Sequence, residues 1–151
     1  MTNFPNTIEI YVAESTGNNP IIGIILTIHL YASIKNDYYF ITSFSDADGK
    51  IVITKEELSA FIDDSIGRYI MDYASNLQNC KPFIEIIMEG KISLKNRKER
   101  LIKMKSYSED ANKNIEIINQ CSNWLYEEAK QVIEIIQGVK KQTVNLRIRK
   151  I

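Results

Sequence analysis

Apolar and polar side chains alternate one by one in several short segments of this chain. Only an extended strand places alternate residues on opposite faces, so the alternation demands sheet with one face buried. Thr7–Ala13 alternates around Ile8, Ile10 and Val12, and Thr143–Ile151 sets Val144, Leu146 and Ile148 against Asn145, Arg147 and Arg149. In Ile21–Ala32 the even positions Ile22, Ile24, Leu26, Ile28 and Leu30 make one apolar face, while Gly23, Thr27, His29 and Tyr31 lie on the other. Asp37–Phe44, Lys50–Thr54, Arg68–Ala74 and Phe83–Met88 read as further strands, rich in β-branched and aromatic residues. The stretches Ser15–Pro20 and Ser45–Gly49 carry turn residues, with Gly49 where a positive φ is expected. At 151 residues the chain suits one domain.

Helical signals interrupt this pattern. Thr54-Lys55-Glu56-Glu57 is a capping box, followed at helical spacing by Leu58, Phe61, Ile62 and Ile66, with Gly67 as the stop. Ile92–Ser106 is polar and basic. From Ser108 to Gly138, Ile115, Ile118, Ser122, Leu125, Ala129, Val132 and Ile136 recur at three- and four-residue steps, which predicts one long helix. The expected fold is therefore α+β: an antiparallel β-sandwich of about seven strands with a short helix and a long helical insertion. Residues 1–90 supply most of the sheet, 91–138 the insertion, and 142–151 a last strand that returns to the sheet.

Three motifs between Glu9 and Met88 carry a resemblance. They are Thr16-Gly17-Asn18-Asn19-Pro20-Ile21-Ile22-Gly23, Ser45-Asp46-Ala47-Asp48-Gly49-Lys50-Ile51 and Gly67-Arg68-Tyr69. Together they resemble the transthyretin-like and carboxypeptidase-regulatory-like β-sandwich domains. Those domains have a Gly–Pro turn into a long strand, a Thr-Asp-x-Asp-Gly-Lys/Arg turn and a Gly-x-Tyr strand. The resemblance implies a sandwich fold and specifies turns, not chemistry. Its enzymatic members, the hydroxyisourate hydrolases, need paired His, an Arg and a C-terminal Tyr-Arg-Gly-Ser. This chain has one His, Lys50 where the Arg would stand, and Arg147-Ile148-Arg149-Lys150-Ile151 at its end. That activity is not expected.

Other chemistry is sparse. The Asp46–Lys50 region resembles a calcium loop, but aligning Gly49 with the sixth position puts Phe44 at the first ligand and Lys55 at the twelfth. A hairpin turn is the expected reading, and no metal or cofactor is expected. His29 is the single histidine, expected to pack on the sheet with one hydrogen bond, so no His–His metal pair can form. Cys80 and Cys121 read as reduced thiols. Asp63-Asp64 and Glu127-Glu128 are adjacent pairs read on helices, where neighbours diverge by about 100°. No catalytic residue is expected, and the chain reads as a non-enzyme.

Charge is the most informative feature. Residues 1–80 carry four basic and ten acidic side chains, and residues 81–151 carry 15 and nine. Lys91, Lys95, Arg97, Lys98, Arg100, Lys103 and Lys105 face only Glu99 within positions 91–105. One reading is a solvated connector. The functional reading is a protein-binding module, for instance a small cytosolic bacterial immunity protein that neutralises a toxin. Its contact residues would be Lys95, Arg97, Lys98, Arg100, Lys103, Arg147 and Arg149. The alternative is a nucleic-acid-binding accessory protein using 91–105, ranked second because the basic run lacks interleaved aromatics. The longest apolar run, Ile21–Ile28, is too short to span a membrane. The N-terminus shows no secretory pattern, so a cytoplasmic location is expected.

Overall fold

The structure, a computed structural model, describes residues 4–30, 38–59, 83–104 and 109–151. It is α+β, with seven strands among the described residues: β1 (Thr7–Glu14), β2 (Thr27–Leu30), β3 (Tyr38–Ile41), β4 (Lys50–Thr54), β5 (Phe83–Met88), β6 (Ala129–Glu134) and β7 (Lys141–Ile148). A short helix α1 (Lys55–Ser59) follows β4. Helices α2 (Lys91–Met104) and α3 (Glu109–Gln120) and a 3-10 turn (Ser122–Leu125) lie between β5 and β6. One sheet has the order β4-β1-β7 and the other β3-β2-β5-β6.

The alternation behaves as strand periodicity requires. In β1, Ile8, Ile10 and Val12 are buried. In β7, Gln142, Val144, Leu146 and Ile148 are buried while Lys141, Thr143, Asn145 and Arg147 are exposed. Ile8, Ile10, Val12, Val144, Leu146 and Ile148 form one cluster with Ile51 and Ile53 of β4 and with Ile28, Ile84, Ile86 and Met88 of the four-stranded sheet. Each such side chain contributes roughly 1.5–3 kcal/mol when fully buried, so this cluster is the main source of stability. β1 pairs antiparallel with β4 but parallel with β7, from Thr7↔Lys141 to Glu14↔Ile148. The expected all-antiparallel pairing therefore fails at one ladder. The chain reaches β7 from β6, in the other sheet, rather than through a hairpin with β1.

A second, smaller cluster joins Ile25, Leu94, Ile118 and Cys121, with Ile41, Leu101, Ile117 and Trp124 packed on it. It seats α2, α3 and the 3-10 turn against the segment leading into β2 and against β3. α1 opens with the predicted capping box: Glu57 N–H donates to Thr54 Oγ1 at 3.2 Å, and Thr54 N–H donates to Glu57 Oε1 at 3.1 Å. Leu58 is buried, as its spacing predicts. Phe61, Ile62, Ile66, Gly67, the strand Arg68–Ala74, Asp63-Asp64, Cys80, Lys105 and Ser108 lie outside the described residues.

Two further sequence expectations are corrected. The predicted helix Ser108–Gly138 is broken: α3 ends at Gln120, the 3-10 turn follows, and Ala129–Glu134 is the strand β6 paired with β5. Leu125, Val132 and Ile136, which would have continued the helical stripe, are exposed. The Trp124 indole N–H donates to the Ile118 carbonyl at 2.8 Å, capping the end of α3 where a continuing helix would have supplied its own donor. Glu127-Glu128 accordingly precede β6 rather than lying on a helix. Ile21–Ala32 is also shorter as a strand than predicted. Gly23 has φ +84, which breaks the extended run and leaves Ile22 exposed, and the regular ladder begins only at Thr27.

On the outer side of the three-stranded sheet, Glu9 lies 3.2 Å from Lys50 Nζ and 3.7 Å from Lys141 Nζ. Partial desolvation acts to raise its pKa, but the hydrogen bond from Lys50 and the charges of Lys141 and Lys50 outweigh it, so Glu9 titrates below the usual carboxylate value. A lowered folded-state pKa means that this contribution to stability is present above the unfolded value and is lost as pH falls through the folded one. Replacing both lysines (Lys50→Met with Lys141→Met) should move the Glu9 pKa upward, read by carboxyl-carbon NMR titration.

The turn before β4 gives a second test. Gly49 has φ +75, and a Cβ there would sit 2.3 Å from the Val12 carbonyl oxygen, whereas at Gly17, also left-handed, it would meet only the Asn19 side chain at 3.6 Å. Gly49→Ala should cost at least about 2 kcal/mol, combining backbone strain with a clash against β1. Gly17→Ala should cost about 1 kcal/mol. Urea unfolding of the two variants would give the ranking.

Candidate functional site

The described structure concentrates its buried polar chemistry where the end of β5 meets α2. Glu89 follows β5 directly and is only 5% exposed. A carboxylate so placed must be neutralised and its lone pairs filled. Arg97, two turns into α2, reaches back to it through both Nε (3.1 Å to Oε2) and Nη2. Thr27 Oγ1 of β2 donates to Oε1 at 2.8 Å, and Ser93 Oγ donates to Oε2 at 3.0 Å. Gly90, next in the chain, packs so closely on Glu128 that a Cβ would lie 3.1 Å from its backbone nitrogen. The helix thus starts against the segment leading into β6.

Asn123 completes the junction. It is fully buried in the 3-10 turn. Its amide accepts from Ile25 N–H at 2.9 Å and donates to the carbonyls of Ile25 (2.9 Å) and Glu89 (3.2 Å). The side chain therefore stands in for a strand neighbour to Ile25 and ties three segments together. Neither Glu89 nor Asn123 was singled out in the sequence. The available signal was an acidic and an amide residue beside otherwise apolar runs.

The seven predicted contact residues divide. Arg97 does not present free charge to solvent, because it serves Glu89 inside the fold. Lys95, Arg100 and Lys103 are exposed on α2, and Lys98 is half-buried at the edge of that face. Arg147 is exposed on β7, and Arg149 just beyond it, where its carbonyl accepts from Glu127 N–H at 2.8 Å. None of these six has an ion pair among the described residues. α2 thus displays Lys91, Lys95, Lys98, Arg100 and Lys103 against one acid, Glu99.

The remaining candidates occupy structural roles. His29 is buried in β2, stacked on Tyr39 of β3 with ring centroids 4.3 Å apart, and its Nδ1 lies 3.5 Å from Glu85 of β5. Both neighbours stand directly opposite it in register. The Asp46 carboxylate accepts from the N–H groups of Asp48 (2.9 Å) and Lys50 (3.0 Å), so it closes the turn before β4. Cys121 is buried in the smaller cluster, its thiol contacts the Ile118 carbonyl, and burial pushes its pKa up. Among the described residues no group of three or more His, Cys, Asp and Glu is arranged to hold a metal ion, and no helix is long and apolar enough to cross a membrane.

The buried pair is testable by asymmetry. Arg97→Leu should destabilise by about 3 kcal/mol, because it strands the Glu89 charge. Adding Glu89→Met should recover most of that loss. Chemical denaturation of the single and double variants measures the difference.

No protein-family model matches the chain, and the comparison with curated proteins finds no match. Among solved structures, a 9R-lipoxygenase from Cyanothece PCC8801 aligns over 93% of this chain and 16% of its own length, at 12% identity and a TM-score of 0.36. The chain therefore spans about a sixth of that protein's length, and a likeness this slight carries no argument about fold or activity.

Proposed function

We propose that this chain is a non-catalytic protein-binding module. In this reading a transthyretin-like β-sandwich is the scaffold, and the outward face of α2 is the contact surface for an acidic protein. The scaffold reading is supported by two sheets that contribute to one apolar cluster. It is also supported by two of the resembling motifs falling on turns, after β1 and before β4. A small cytoplasmic bacterial immunity protein, neutralising a toxin, is the form of such a module that we put forward.

One observation carries the functional reading. Lys95, Arg100 and Lys103 project from one helix with no ion pair among the described residues, while Arg97 is consumed internally. Unpaired charge of one sign steers association and discriminates among partners. Three such side chains held on a packed helix form a surface, not a loose tail.

The test is affinity capture of the full chain from native lysate, with and without nuclease. It is repeated with Lys95→Glu, Arg100→Glu and Lys103→Glu combined. Folding should be nearly unchanged, since exposed substitutions move stability within about ±0.5 kcal/mol. Association with the captured protein should slow at least several-fold at low salt. An unchanged rate and affinity would move the interface away from α2. Capture of nucleic acid, with affinity falling steeply with salt, would assign the face to nucleic acid instead.

A further inference from the structure

We infer that the occupant of the α2 face is an acidic amphipathic helix of another protein, seated along the seam Ile92–Lys95–Glu99–Ile102. This rests on the reading of α2 as a protein-contact surface and specifies the partner's chemistry.

The seam follows from helix geometry. At about 100° per residue the four positions fall within an arc of about 80°, spaced three, four and three residues apart. That is the spacing of a coiled-coil seam. All four side chains are exposed, including two isoleucines at 79% and 44%. The core side of the same helix is already occupied, by Leu94 and Leu101 in the smaller cluster and by Arg97 on Glu89. Ile92 and Ile102 are thus left outward on a helix whose apolar requirement is met elsewhere. They lie about 15 Å apart along the axis.

The flanks decide what can sit there. Lys91 and Lys98 line one side of the seam, and Arg100 and Lys103 the other, where Asn96 lies between Lys103 and Arg100. In paired helices, flanking charges choose the partner. The complementary helix therefore carries two apolar residues ten positions apart, an anion opposite Lys95, a cation opposite Glu99, and carboxylates along both flanks. A second copy of α2, running antiparallel, satisfies the seam: Ile92 meets Ile102 and Lys95 meets Glu99. It fails at the flanks, where cations would face cations. That repulsion favours an acidic partner over self-association.

The probe is a synthetic 21-residue helical peptide with the complementary seam (Leu, Lys, Glu, Leu) and Glu on both flanks. The control peptide carries Lys on the flanks. Both are fluorescently labelled and titrated with the full chain by anisotropy. The acidic-flank peptide should bind at least tenfold tighter than the control. Ile92→Asp with Ile102→Asp should weaken binding at least tenfold, as should Ile92→Ser with Ile102→Ser, with circular-dichroism melts confirming that the variants fold. Lys91→Glu, Arg100→Glu and Lys103→Glu combined should reverse the preference between peptides.

If the isoleucine variants bind as well as the parent while the charge variant does not, the seam is wrong and the basic contact surface stands. If the charge variant binds as well as the parent, both fall. No binding of the acidic peptide to the parent overturns the inference. So does sedimentation showing a dimer that the isoleucine variants abolish, since that gives the seam to a second copy.

Discussion

Glu89 sets the orientation of much that surrounds it. A carboxylate held at the end of β5 and nearly sealed from water needs an opposite charge and several donors, since an unpaired buried charge costs several kcal/mol. Arg97, Ser93 and Thr27 provide them. Two of these lie on α2, so the rotation of that helix about its axis is decided by the ion pair together with Leu94 and Leu101. Once Arg97 must point inward, Lys95 and Glu99, each about 160° round the helix from it, must point outward. The surface on which the functional reading rests is a geometric consequence of one buried acid.

The same junction explains why the chain abandons helix after Gln120. Asn123 offers both an acceptor and a donor to Ile25 and a donor to Glu89, three bonds no apolar residue could make. A helix continued through 123 would carry this side chain away from those partners. Breaking into a 3-10 turn keeps it there and releases Ala129–Glu134 to pair with β5. The β6–β7 side of the two sheets is then stitched at both ends. Gln142 accepts from Ile136 N–H and donates to the Glu134 carbonyl, and Leu125–Glu127 exchanges backbone bonds with Arg149–Ile151. Long strand edges invite pairing with other chains, and these side-chain and backbone bridges restrain the one at β7.

Legibility from sequence followed the range of the forces involved. β1, β4, β5 and β7 were visible because alternation and turn chemistry are local. The capping box at Thr54 was visible for the same reason. β6 was not: Ala129, Val132 and Ile136 recur at helical spacing, whereas the strand turns Ala129 and Val132 to opposite faces and ends before Ile136, and only the distant partner β5 decides for strand. Gly23 showed its effect only in three dimensions, where its left-handed φ ends the apolar run of Ile21–Leu26 as a strand. Among the candidate contacts, Lys95, Arg100 and Lys103 lie exposed together on α2. Arg97 was indistinguishable from them in sequence, because its role depends on Glu89, eight residues away, being buried. The counts of charge were legible. Which charges were already satisfied was not.

That last distinction bears on what the charge imbalance means. Many of the described carboxylates are committed within the fold. Glu9 pairs with Lys50 and Lys141, Glu14 accepts from the Tyr126 hydroxyl, Asp46 closes a turn, Glu57 caps α1, Glu85 lies against His29, and Glu89 holds Arg97. The cations of α2 other than Arg97 have no such commitment among the described residues. A zero formal charge over the whole chain therefore stands beside a local excess among the described residues: the exposed acids Asp48, Glu56, Asp110, Glu116, Glu127 and Glu128 lie on other elements, while α2 carries five uncommitted bases against Glu99. Electrostatic steering depends on charge that is exposed and unpaired rather than on the sum. On that criterion the outward face of α2 is positive although the chain as a whole is neutral, and this is the ground on which an acidic partner is proposed.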